Sequence, residues 1–247
     1  MRCPHTRCVM PEPRAPKRIT VREIVDPRDP ALTATYALLR TNFSRGERVD
    51  RREWTASLRE REAGMLSDLA WHLIIAERDG EVLGLVSGTY VGSVNVGVVG
   101  YLAIAEAGRG EGLGTRLRNH LRRRFARDAE RIAHRPLTGI IGEVSPGNPW
   151  LRRLARSPRV LMLDFPYYQP RLRDDDDPSP FVLYIEAFGN ARRRIPVAEL
   201  KQILFAIWRR IYRIPRPLDR PAFRAMMRAL EGRRTVGPLR LAAPESR

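Results

Sequence analysis

The chain has 247 residues and a formal net charge of +17, room for one large domain or for one domain with an appendage. Its longest apolar stretch, around residues 94–105, holds several glycines and an asparagine and is too short to cross a bilayer, so no membrane partner is expected. The Pro- and Arg-rich start lacks the apolar core of a signal peptide, so a cytoplasmic location is expected.

Residues 1–18 show no apolar period and read as a disordered arm. Within it Cys3, His5 and Cys8 crowd together at a spacing that matches no standard zinc site, and no metal is expected. Residues 18–25 alternate apolar and polar side chains and predict a strand. A helix follows, with Asp29 as N-cap and Pro30 at its first position. A second helix over 50–64 starts near Asp50, ends at Gly64 and puts Trp54, Leu58 and Met65 on one side. Two apolar runs within 71–92 are joined by Asp79-Gly80, the strongest short hairpin signal. Residues 96–106 are apolar nearly throughout and predict a central strand. The next helix carries Leu113, Leu117, Leu121 and Phe125 at four-residue steps, with arginines outward. A buried strand at 137–144, a loop and short helix, a strand at 159–165, a long connection at 166–180 and a last strand at 181–188 complete this part. The four aspartates at 174–177 read as a solvated loop. Pro196 then opens a helix, a second covers 221–232, and the end reads as frayed.

The expected organisation is an arm at 1–18, a domain at 19–190, a helical extension at 191–232 and a tail at 233–247. Ile203, Leu204, Ile207, Trp208 and Ile211 give the extension an apolar face. Packed back on the sheet, it would cover a face or line a ligand site; exposed, it would form a homodimer contact. Nearly all of the basic residues are arginine, with Lys17 and Lys201 as the two lysines. They are scattered through every segment rather than striped with aromatics, so nucleic-acid binding is the weakest interpretation of the charge. The excess does favour anionic ligands.

Between the central strand and the long helix stands Arg109-Gly110-Glu111-Gly112-Leu113-Gly114. Backbone amides at a helix start are unpaired and partly positive, and a bend without side chains lets a bulky anion approach them. The glycine spacing does not match a dinucleotide fingerprint, and the Lys-Ser/Thr of a Walker loop is absent. The pattern Arg-x-x-Gly-x-Gly instead resembles the acetyl-CoA motif of the GCN5-related N-acetyltransferase (GNAT) family. The order of elements around it resembles the whole GNAT core over about residues 19–188.

The resemblance implies a mixed α/β (α+β) sheet, the core of an acyl-CoA N-acyltransferase, followed here by a C-terminal helical appendage. It implies acetyl-CoA as co-substrate, with its pyrophosphate on the amides of Arg109, Gly110, Glu111, Gly112, Leu113, Gly114 and Thr115. The pantetheine arm would lie against Leu102, Ala103 and Ile104, with Asn148 touching it; a helix cap is the other use for that asparagine. The implied reaction moves an acetyl or other short acyl group onto an amine of a small molecule or peptide. Such a reaction needs a base for the amine and an acid for the departing thiolate. Glu143, ending the strand that faces the cofactor wedge, is the candidate base, with a plain strand-end ion pair as the alternative; Glu106 is a weaker candidate. Many relatives carry a tyrosine acid in or soon after the short helix, and this chain has none there. Tyr167 and Tyr168 are the nearest substitutes in sequence; Tyr168 is taken as the candidate acid, with core packing as the alternative. His72, His120 and His134 show no convincing partners. A non-catalytic module that binds CoA or a partner is the second interpretation.

Overall fold

The computed structural model describes residues 18–170 and 178–239. The Cys3, His5 and Cys8 group and the aspartates at 174–177 lie outside them. Short β1 (Thr20–Ile24) pairs antiparallel with β2 (Leu69–Arg78), which turns into β3 (Glu81–Val91). The turn falls on Asp79 at φ 53° and Gly80 at φ 82°, the left-handed pair that a tight hairpin matching strand twist requires. β4 (Val96–Ile104) runs antiparallel to β3, and β5 (Gly139–Val144) runs parallel to β4. β6 (Val160–Met162) and β7 (Tyr167–Gln169) both pair with the long β8 (Ser179–Ala187), which also pairs with β5. The sheet order is β1-β2-β3-β4-β5-β8-β6, with β7 on a branch from β8. The connection expected at 166–180 therefore contains a strand. Three residues between Pro166 and Pro170 are too few for alternation to show.

Helices cover both faces. α1 (Ala31–Asn42) starts where the Asp29 carboxylate accepts the Ala31 amide at 2.9 Å. α2 (Arg51–Glu62) ends before Gly64 at φ +64°, a left-handed C-terminal turn suited to glycine. That turn swings Met65 away from Trp54 and Leu58. Both of those are buried, whereas Met65 is 71% exposed, contrary to the expected shared side. α3 (Leu113–Asp128), continued by a wider turn over Ala129–Ala133, lays Leu113, Leu117, Leu121 and Phe125 against Ile74, Leu83, Val86 and Tyr90. Phe125 presses on Gly97 of β4 and Gly88 of β3, so the absence of side chains there lets helix and sheet approach closely.

On the opposite face, α1 and α2 bury Leu32, Leu39, Trp54 and Leu58 against Leu73, Ile75 and Leu85. α4 (Trp150–Ala155) follows β5 and packs on Met162 and Tyr184. The C-terminal part adds β9 (Ile195–Pro196), α5 (Val197–Ala206) with a wide turn at Ile207–Ile211, α6 (Pro221–Ala229) and β10 (Thr235–Val236). It packs back on the sheet: Leu200, Ile203, Leu204, Trp208 and Phe223 share one buried cluster with Val96, Val98, Ile141, Leu183 and Ile185. The expected frayed end also differs. β10 pairs with β9, and Pro238 bridges Leu163, because Val236 has a buried place to fill. Among the described residues no helix is long and apolar enough to cross a membrane.

A methyl group at Gly88 would lie 2.6 Å from the Val98 carbonyl oxygen and 2.7 Å from Phe125. Gly88→Ala is expected to cost about 1–3 kcal/mol by overpacking, read as a lower urea midpoint at unchanged slope.

Candidate active site

The glycine turn is built as an open ledge. Past β4 the chain makes one tight turn at Glu106–Gly108, and the Ala105 amide donates to the Leu83 carbonyl at 2.9 Å. Gly108 and Leu113 are buried and fasten the two ends of the bend. Gly110 and Gly112 adopt φ +84° and +69°, and side chains added at Gly110, Gly112 or Gly114 would meet no atom within 4 Å. The Arg116 amide donates to the Gly112 carbonyl at 3.1 Å, which closes the first turn of α3. The amides of Leu113, Gly114 and Thr115 precede that bond and have no carbonyl four residues back within the helix. Together these features make a positive, unobstructed surface suited to a diphosphate. Arg109, Glu111 and Thr115 are exposed at its rim, and Glu111 accepts a long 3.4 Å contact from Arg78.

Next to the ledge the sheet splits. β4 and β5 pair only from Val96 to Val98 on one strand and from Gly139 to Ile141 on the other. Along β3 the register steps from Gly88↔Val99 to Val86↔Leu102, so Gly100 and Tyr101 together oppose Ser87. This is a β-bulge in β4, held where the Tyr101 amide donates to Ser87 Oγ at 3.2 Å. A bulge bends its strand, and beyond this one β4 leaves β5. Leu102, Ala103 and Ile104 therefore pair with β3 along one edge and have no β5 partner along the other.

Glu143 lies on β5 across this gap and lines a cleft of about 2150 Å³. Its carboxylate is the centre of a polar cluster. The Tyr167 hydroxyl donates to Oε1, while the Tyr212 hydroxyl at 2.5 Å and the Gln169 amide at 3.1 Å donate to Oε2. Burial raises the Glu143 pKa, and the three donated bonds only partly offset it. Burial also pushes the Tyr167 and Tyr212 hydroxyls well above 10, with the Glu143 charge adding to it. The Tyr101 hydroxyl, buried at the bulge, rises to about 12. This cleft can thus hold a proton acceptor beside neutral phenols.

Residues 32–138 match the family model described as Acetyltransferase (GNAT) family. They are a GNAT acetyltransferase domain. A protein assigned to the GNAT family from Bacteroides thetaiotaomicron superposes with a TM-score of 0.56 at 18% identity, covering 79% of this chain and 99% of its own. An N-acetyltransferase from Staphylococcus aureus Mu50 superposes at 0.50 with 12% identity, covering 69% and 98%. At these identities the likeness is one of fold. No curated protein matches the chain in sequence.

Against the GNAT frame, the sequence candidates divide. Arg109, Gly110, Glu111, Gly112, Leu113, Gly114 and Thr115 form the ledge, and Leu102, Ala103 and Ile104 form the split edge. Asn148 is exposed and its side-chain oxygen accepts the Trp150 amide at 2.9 Å, the helix-start role. Glu106 is exposed in the tight turn, away from the Glu143 cluster. Tyr168, the candidate acid, is not among the side chains that hydrogen-bond Glu143. Successive strand residues point to opposite faces: Tyr167 reaches Glu143, whereas Tyr168 packs against the C-terminal cluster. Tyr212 and Gln169 were not foreseen. The signal for Tyr212 was the apolar run ending at Ile211, since a run that docks on the sheet carries its next polar residue to the cleft.

His72 also departs from expectation, because it has two acidic partners. Nδ1 lies 2.7 Å from Glu23 Oε1 and Nε2 lies 2.6 Å from Asp128 Oδ2. Arg61 and Arg124 pair with Glu23, and Arg131 pairs with Asp128 at 2.8 Å. Burial alone would lower the His72 pKa, but the two carboxylates outweigh it and the net shift is upward. Burial likewise pushes Glu23 up, and His72 and Arg61 overcome that to hold it at about 2. These groups tie β1, β2, α2 and α3 together. A raised histidine pKa stabilises the native state fully below its ordinary 6.5, and the contribution disappears as pH rises through the native value. Urea midpoints are therefore expected to fall on the alkaline side of that window, and His72→Gln is expected to flatten this part of the profile.

Proposed function

We propose that this chain is an acetyl-CoA-dependent N-acetyltransferase that moves an acetyl group directly onto an amine. The observation that carries this is the conjunction of the open ledge at 109–114 with the split between β4 and β5. The ledge amides would hold the diphosphate, and the free edge at Leu102, Ala103 and Ile104 would pair with the pantetheine arm. Coenzyme A supplies the activated thioester. Glu143, with its pKa raised by burial, accepts the proton of the attacking amine as the N–C bond forms. The Tyr212 hydroxyl lines the cleft and donates a proton to the thiolate as the C–S bond breaks, recovering it from Glu143 across their 2.5 Å hydrogen bond. Tyr167 is more deeply buried, at 1% exposure, and holds the other carboxylate oxygen in place. A hydroxyl from the C-terminal part thus fills the role for which the short helix offers no tyrosine.

Gly114 has an ordinary helical backbone and open space where a side chain would stand. Gly114→Leu is expected to keep the melting temperature near that of the wild type while lowering coenzyme A affinity at least about tenfold, measured by calorimetry. Full retention of affinity would sink the ledge assignment.

Glu143→Gln is expected to lower kcat about 10²- to 10⁴-fold with coenzyme binding intact. Activity should rise with pH through the elevated Glu143 pKa. Tyr212 donates to the carboxylate and so lowers that pKa; Tyr212→Phe should move the acid limb of the pH–rate profile upward as well as reduce kcat. A chain that binds acetyl-CoA yet releases no thiol with any amine would instead be the non-catalytic module.

A further inference from the structure

Several arginines of the cleft are matched by acids. Arg61 pairs with Glu23, Arg210 with Asp68 at 2.5 Å and Arg213 with Glu60 at 2.6 Å. Arg48, in the loop between α1 and α2, differs. Its Nη1 donates to the Tyr36 hydroxyl at 3.3 Å, and its Nε is buried without a hydrogen-bond partner among the described residues. No carboxylate there is paired with it. Arg48 as a whole is half-buried; an arginine cannot shed its charge at neutral pH, so its buried Nε carries a desolvation cost that no hydrogen bond recovers.

The loop does not leave Arg48 free to swing into water. The Val49 amide donates to the Tyr101 hydroxyl at 3.0 Å, and that hydroxyl donates to the Glu47 carbonyl at 3.1 Å. Tyr101 thereby clamps the residues on both sides of Arg48. Tyr101 sits on the bulge of β4, close enough to Glu143 and Arg48 for both charges to act on its hydroxyl. Arg48 and Glu143 line the same cleft, which Trp54, Trp71 and Tyr101 also line. Those three rings lie within 6.4 Å of a neighbour in the set.

We infer that Arg48 is the anchor for a carboxylate carried by the acceptor, which makes the acceptor an amino-acid-like amine with an apolar or aromatic body. The inference rests on the acetyltransferase proposal above. A guanidinium presents a planar fork that a carboxylate fills with two parallel hydrogen bonds. The fork suits a single carboxylate, and a phosphate in its place is an outcome of the test. The aromatic wall fits an apolar body, and Glu143 receives the amine at the other end.

The test compares matched probes: phenylalanine with phenethylamine, tryptophan with tryptamine, leucine with isopentylamine, and phosphoethanolamine as the phosphate arm. Each is measured by thiol release with acetyl-CoA and by calorimetric titration, with and without coenzyme A. The carboxylated member of a pair is expected to exceed its partner by about 10²-fold in kcat/KM or affinity. Arg48→Gln should remove most of that gap, chiefly through KM, and should not lower the melting temperature. Equal use of the decarboxylated amines, preference for phosphoethanolamine, no binding of any carboxylated probe, or an unchanged gap in Arg48→Gln would each overturn the assignment. A lower melting temperature in that variant would mark Arg48 as structural and also count against it. Failure of the broader proposal looks different: coenzyme A produces no heat, while titration of the free protein still reports on carboxylate selectivity.

Discussion

Two parallel strands that stop pairing after three residues set the terms for everything around them. Hydrogen bonding along a sheet is favourable at each step, so β4 and β5 would stay together unless something bends one of them. The bulge at Gly100 and Tyr101 does so, with Ser87 and the loop before α2 holding it. Once the strands part, backbone groups on β4 lack neighbours, and Glu143 looks into a space rather than at another strand. The polar cluster and the aromatic wall line the same cleft.

The split has a structural cost, and the C-terminal part offsets it. Two strands that diverge expose apolar side chains on the face away from α3. Residues of α5, its wide terminal turn and α6 cover Val96, Val98 and Ile141 there. The same docking delivers Tyr212 to the carboxylate. The helices beyond residue 190 thus share the hydrophobic core of the sheet.

What was legible in the sequence was local. The Asp79-Gly80 turn and the glycine ledge are specified by consecutive residues whose backbone angles or missing side chains do the work. The four-residue steps of α3 are local in the same sense. The polar cluster is not. Tyr212 lies 69 residues from Glu143, and His72 lies 49 and 56 residues from its two carboxylates. Such pairs come together only when the chain folds, and periodicity carries no trace of them. The choice between Tyr167 and Tyr168 turned on strand parity, which a three-residue strand between prolines does not reveal. Met65 failed for a related reason, since a single left-handed glycine cancelled the helical spacing that assigned it.

The separation between Glu143 and Tyr212 also has a bearing on biosynthesis. Ribosomes deliver the N-terminal half first, so the ledge and the strand edge can form while the phenol is still inside the exit tunnel. During that interval the Glu143 carboxylate lacks one of its three hydrogen-bond donors. That donor arrives late, with the segment that also seals the hydrophobic face.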